Sequence, residues 1–175
     1  MPLKSTQSAY GAVAVTIHWL SVLFIIALAG SGFLAAGMED TAAKAAVLRA
    51  HVPCGIVILL LTAARAGWWL LADRKPDPVP MPDWQDRVSR GVHFLFYVVI
   101  FGMGASGIAM MVLSGAGLII FGGTGETLPD FRDFGPRIPH GVGARLFIAL
   151  FVFHAGAALH HHFVKRDGLL RRMWR

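Results

Sequence analysis

Between Lys4 and Glu39 the chain carries no acidic residue, lysine or arginine. Within that stretch VAVTIHWLSVLFIIALAGSGFLAAG offers an unbroken apolar run, and a helix needs roughly 20 such residues to cross about 30 Å of hydrocarbon. Water does not tolerate a block of this length, and several of them exceed what one small soluble core can bury. A basic residue ahead of an apolar run also resembles a secretory leader. Here the run continues through Met38, which suits a retained span rather than a cleaved one.

Three further blocks repeat the pattern. HVPCGIVILLLTAARAGWWLL, GVHFLFYVVIFGMGASGIAMMVLSG and HGVGARLFIALFVFHAGAALHHHFV give, with the first, spans expected near residues 14–36, 48–71, 91–113 and 140–164. The reading is an all-α integral membrane protein, one four-helix membrane domain over residues 1–175. Composition agrees, at 55% apolar and 15% charged. Pro139 suits a helix start, where a missing backbone donor costs little. Arg65 is expected to run its stem along the apolar layer and lift its charge to the headgroups. The segment after the third span is expected as a Gly-rich turn or surface segment, and MEDTAAKAAVLR as a connection.

Four spans put both termini on one side. That side then receives Lys4, Arg65, Arg74, Lys75, Arg87, Arg90 and the basic residues from Lys165 to Arg175. The other receives Lys44, Arg49, Arg132, Arg137 and Arg145. Eleven of the 16 basic residues against five predict cytoplasmic termini, because basic loops stay inside. Trp19, Trp68 and Trp69 fit an interfacial belt on the same side. The net charge of +6 invites nucleic-acid binding, but the basic residues flank apolar blocks and leave no folded polar surface for it. Cys54 stands alone in an apolar run and reads as a small buried side chain.

All eight histidines, His18, His51, His93, His140, His154, His160, His161 and His162, fall within or at the ends of the spans. Polar groups at such depth are partnered and often functional. His140 and His154 are fourteen positions apart, nearly four turns, so they share a face but stand about 21 Å apart along the axis. That is too far for one iron and suits one ligand in each of two stacked haems. Topology supplies partners: His51 near the non-cytoplasmic surface for His140, and His18 near the cytoplasmic surface for His154. His93 competes for the cytoplasmic iron, or serves as a hydrogen-bonding or quinone-side group. Two imidazoles on one iron suit electron transfer, because both axial positions are filled. Gly55, Gly141, Gly143 and Gly156 permit close approach of a macrocycle or a neighbouring helix. His161 returns to the face of His154 and is a candidate for a quinone carbonyl. His160 and His162 flank it as alternatives.

This ordered set, running from TIHWLSVLF through LRAHVPCGIVILLLTAARAGWW and RGVHFLFYVVIFGMGASGIAMM to PHGVGARLFIALFVFHAGAALHHHFVKRDGLLRRM, resembles the bacterial cytochrome b561 family. That family is similar to the cytochrome b subunits of respiratory hydrogenases. The resemblance implies a bacterial inner-membrane protein with two haem b groups, His18 and His154 ligating the cytoplasmic one and His51 and His140 the periplasmic one. It further implies ubiquinone as electron acceptor with His161 at the quinone, and superoxide as donor in some members. Two other readings stay open. One is a quinone-linked cytochrome exchanging electrons with a protein partner; the other is a non-redox transporter or sensor that uses histidines for protons or metal. Oligomeric state is not legible.

Overall fold

A computed structural model describes residues 1–124 and 126–174. Gly125, in the connection before the last span, and Arg175, one of the basic residues assigned to the terminal side, lie outside the described residues. The described chain is all-helical, with four helices long and apolar enough to cross a membrane. Helix α1 spans Ala12–Gly37, α2 Thr41–Gly67, α3 Asp83–Leu113 and α5 Arg137–His160. A short α4, Ala116–Gly122, follows α3. At the end nearest the termini, α2 and α5 each widen into a π-helical turn, Trp68–Ala72 and His161–Lys165.

Side chains on these spans face mostly outward: Leu23, Leu60, Phe94 and Val152 are each more than half exposed. A surface of that kind is stable only against lipid acyl chains. Inside, α1 packs along α2 and α3 along α5, and the two helix pairs meet chiefly through α2 and α3.

Several helices begin earlier than their apolar runs suggest. The Asp40 carboxylate accepts from the Ala42 and Ala43 amides, at 2.9 and 3.2 Å, capping donors that a helix start leaves free. Of the MEDTAAKAAVLR segment, Met38, Glu39 and Asp40 form the connection, while the alanine-rich part from Thr41 joins α2, as alanine's helix preference favours. Asp83 and Asp86 open α3, where the helix dipole favours negative charge. Pro136 caps α5, and Pro139 sits in its first turn.

The segment after α3 is a short helix rather than a plain turn, with one face buried and Leu118 and Phe121 on its exposed face. Gly115 (φ 69°) and Gly123 (φ 64°) adopt left-handed backbone that only glycine takes cheaply, and these bends fold α4 inward. Ala116 and Ile120 are almost completely buried, against Ala35, Leu48 and Leu128. Arg49 Nε donates to the Ile120 carbonyl at 2.9 Å and ties α4 to α2. This cluster closes the end of the bundle away from the termini.

The terminal end is closed differently, by polar straps. The Ser5 amide and hydroxyl donate to Asp73 at 2.9 and 2.8 Å, and Trp68 Nε1 donates to the same carboxylate at 3.0 Å. The Asp77 amide reaches the Gln7 carbonyl, and the Tyr10 amide the Arg172 carbonyl. Trp19 Nε1 donates to the Met173 carbonyl at 2.6 Å. The chain's beginning, the α2–α3 connection and the C-terminal segment thus meet at one end.

Candidate functional site: two facing imidazole pairs

The helix pairs bring histidines face to face at two levels. His51 of α2 and His140 of α5 have ring centres 6.4 Å apart with planes at 68°. His18 of α1 and His154 of α5 have centres 6.5 Å apart at 66°. A ligating imidazole nitrogen stands about 2 Å from its metal, with the ring centre about 1 Å behind, so two rings sharing one ion have centres roughly 6 Å apart. Both pairs meet that spacing. Each draws one ring from the α1/α2 pair and one from the α3/α5 pair.

The outer pair, His51 with His140, is cradled in a repeated way. Ser31 Oγ spends its proton on the Ala27 carbonyl at 2.7 Å, leaving its oxygen to accept from His51 Nδ1 at 2.9 Å. On the other side His140 Nδ1 donates to the Met103 carbonyl at 3.0 Å, with Ser106 Oγ at 3.2 Å. Beside each serine is a glycine against the same ring. A Cβ on Gly32 would stand 3.0 Å from His51 Cε1, and one on Gly107 3.2 Å from His140 Cε1. With the proton fixed on Nδ1, each ring offers the Nε2 lone pair, the arrangement by which metal-binding histidines are oriented. A Ser–Gly step in α1 and another in α3 build this cradle. The written sequence shows both steps, but sequence reasoning settled on other glycines. Of those, Gly143 meets the Met103 side chain, Gly141 meets Arg137, and a Cβ on Gly55 or Gly156 would meet nothing within 4 Å.

Three rings converge at the inner level. His93 of α3 lies 5.2 Å from His154, centre to centre, and its Nδ1 donates to the Ser89 carbonyl at 2.7 Å. Phe96 also packs edge-on to His154, at 5.5 Å. The His93 spacing is shorter than that of the two matched pairs. Arg65 departs from expectation: its guanidinium turns into the bundle, Nη1 3.1 Å from His18 Nδ1, rather than rising to the headgroups.

Past the inner level, His161 Nδ1 bonds the Asp167 carboxylate. Arg166, in left-handed backbone at φ 53°, ends the helix and turns Asp167 back toward His161. Burial opposes ionisation of Asp167. Hydrogen bonds from His161 and the Leu169 amide, with the nearby His161 and Lys165 charges, outweigh it and hold its pKa below the ordinary value. His160 is exposed, and His162 packs edge-on to Phe163. Sequence reasoning did not find Asp167, which sits outside the apolar runs it followed.

Residues 9–175 match the sequence profile of the family described as Prokaryotic cytochrome b561. The chain belongs to that family. Among its relatives, cytochrome b561 homolog 2 of Escherichia coli (strain K12) is 27% identical over 184 residues, covering 99% of this chain and 95% of the relative. Cytochrome b561 homolog 1 of the same organism is 25% identical over 174 residues, covering 95% and 97%. The probable superoxide oxidase CybB of Yersinia pestis is 28% identical over 171 residues, covering 94% of each chain.

A cytochrome b561 is a multi-pass membrane protein with haem b as its cofactor. The residues fit that group. Among the described residues no group of three or more metal-binding side chains is placed to hold a metal ion, and each facing pair offers two imidazoles. Two rings facing at metal-sharing distance suit a macrocycle that brings its own equatorial nitrogens.

Proposed function

We propose that this chain is a di-haem superoxide:quinone oxidoreductase of the bacterial inner membrane, with both termini cytoplasmic. His51 and His140 hold one haem b near the periplasmic face, and His18 and His154 hold the other toward the cytoplasmic face. The observation that carries this reading is the repetition of one ring spacing and tilt at two levels of the bundle. The sidedness rests on the excess of basic residues at the terminal end. The printed name of the Yersinia pestis relative supports superoxide as donor.

Haem b, when bound, would supply one-electron chemistry, and the two imidazoles of each facing pair are the residues that would hold it. The protein's residues do the rest. The Ser31 and Ser106 sides of the cradle fix ring orientation and tautomer. Lys44, Arg49, Arg132 and Arg137 lie toward the periplasmic end and give the anionic donor a positive approach. Two superoxide ions each lose one electron and leave as dioxygen; one ubiquinone takes both electrons and two protons to become quinol. His161, held by Asp167 through Nδ1, turns Nε2 toward the quinone; when protonated there it donates to a quinone carbonyl and passes that proton on as quinol forms.

Stopped-flow mixing of the haem-loaded protein with ubiquinone and superoxide tests the proposal. Rapid reduction of the b-type spectrum followed by superoxide-dependent quinol is expected. Absence of reduction by superoxide, with reduction by a protein donor instead, selects the quinone-linked cytochrome that serves a protein partner. A purified, folded chain that takes up no haem would sink both in favour of a transporter or sensor.

A further inference from the structure

Arg65 lies in the last turn of α2, ahead of the apolar Trp68–Ala72 turn, and is half-buried, yet it forms no ion pair among the described residues. Its side-chain hydrogen bond goes to a histidine, His18 Nδ1 at 3.1 Å. A guanidinium has donors and no acceptor, so Nδ1 must be the acceptor, and the proton of the neutral ring then sits on Nε2. A protonated Nε2 has no lone pair for iron. The contrast with the other rings is direct: behind the Nδ1 atoms of His51, His140 and His93 stand Ser31 Oγ, the Met103 carbonyl and the Ser89 carbonyl. Those rings are set to ligate through Nε2, and His18 is held in the opposite tautomer.

Ligation by His18 therefore moves its proton to Nδ1 and sets an N–H against the guanidinium. Two donors facing each other at that distance repel, so Arg65 has to leave. A cation displaced within a span needs an anion. Across the four spans the acidic residues are Asp83 and Asp86, both in the first turn of α3, and Asp86 is already paired with Arg90; just beyond the spans, Asp73 is taken up by Ser5, Trp68 and Arg74, and Asp167 by His161 and Leu169. Haem b brings two carboxylates of its own, which an arginine fork matches with paired hydrogen bonds.

We propose that Arg65 is a haem-binding residue: it holds His18 in the non-ligating tautomer until haem enters, then transfers its guanidinium to a haem carboxylate. This rests on His18 and His154 as the inner ligands. The proposal makes loading of the inner site depend on the carboxylates of the incoming macrocycle as well as on its iron.

The test uses the full-length chain, as wild type, Arg65→Gln and Arg65→Lys, reconstituted with haem b or with its dimethyl ester. The outer centre serves as the internal check that each variant is folded. Arg65→Gln is expected to weaken haem b at the inner site at least about tenfold, with Arg65→Lys between the two. It should also lower the inner midpoint potential by about 60 mV, a tenfold shift for one electron, because a positive charge near the iron is lost. With the dimethyl ester, wild type should lose its advantage and bind no better than Arg65→Gln, because its guanidinium then has no carboxylate to move to. Imidazole nitrogen NMR of the haem-free chain should find His18 protonated on Nε2 and His51 on Nδ1.

Equal haem b affinity and potential in wild type and Arg65→Gln would overturn the proposal. So would a raised potential in Arg65→Gln, which would mean that Arg65 stays on His18 and stabilises a deprotonated ligand. Persistence of the inner bis-imidazole signature in His18→Ala would instead remove the ligand assignment, and with it any reason for Arg65 to move.

Discussion

At the scale of single residues, the decisive variable is which imidazole nitrogen carries the proton, and that is set by atoms outside the ring. Asp167 does this for His161 as Met103 does for His140. Its pKa is held low because the bonds from His161 and Leu169 outweigh burial. The sign follows: Asp167 contributes stability above the ordinary carboxylate value and loses it as pH falls through its depressed one. Over the physiological range it remains a fixed acceptor, so His161 Nδ1 is committed and Nε2 is the atom left to work. In Asp167→Asn the charge-assisted bond is lost, worth about 1.5 kcal/mol. Quinol formation is expected to slow about tenfold, while both haem spectra and their potentials stay as in wild type. Unchanged turnover would leave the pair a structural contact at the end of α5.

At the scale of elements, the bundle is two helix pairs carrying matched Ser–Gly steps, Ser31–Gly32 in α1 and Ser106–Gly107 in α3. Each step braces a histidine of the neighbouring helix. A methyl group on Gly107 would lie 3.2 Å from His140 Cε1, so the ring has to give by a few tenths of an ångström. Overpacking of this kind costs about 1–3 kcal/mol. Gly107→Ala should therefore weaken haem at the outer site about tenfold or more and leave the inner site alone, as read by spectral titration. Equal loss at both sites would mean that α3 as a whole had moved. The spans and their histidines were legible in the sequence because apolar length and imidazole are explicit in the letters. The Ser–Gly cradle, the inward turn of Arg65 and the burial of α4 were not. A span that is apolar all round gives no periodic signal for which face meets a neighbour, and those three features are questions of facing. Asp167 depends on a left-handed Arg166, a conformation the letters do not announce.

At the scale of the whole molecule, the two ends are closed by different physics, and this predicts an order of failure. The end away from the termini is sealed by apolar packing of Ala35, Leu48, Ala116, Ile120 and Leu128, which pH does not touch. The terminal end is tied largely through Asp73, which accepts from Ser5, Arg74 and Trp68. Burial tends to raise the Asp73 pKa, but these hydrogen bonds more than offset it, so the value lies below the ordinary 3.8. A carboxylate depressed in this way stabilises the fold above that ordinary value and ceases to as pH falls through the lowered one. Acid titration of the haem-loaded protein should accordingly release the inner centre, which lies beneath this closure, at a higher pH than the outer one. Asp73→Asn removes the charge at every pH. It should loosen the inner centre at neutral pH, bring its loss to milder acid and leave the outer transition in place. Simultaneous loss of both centres in wild type and variant alike would show that the straps at the terminal end do not govern access to the inner imidazoles.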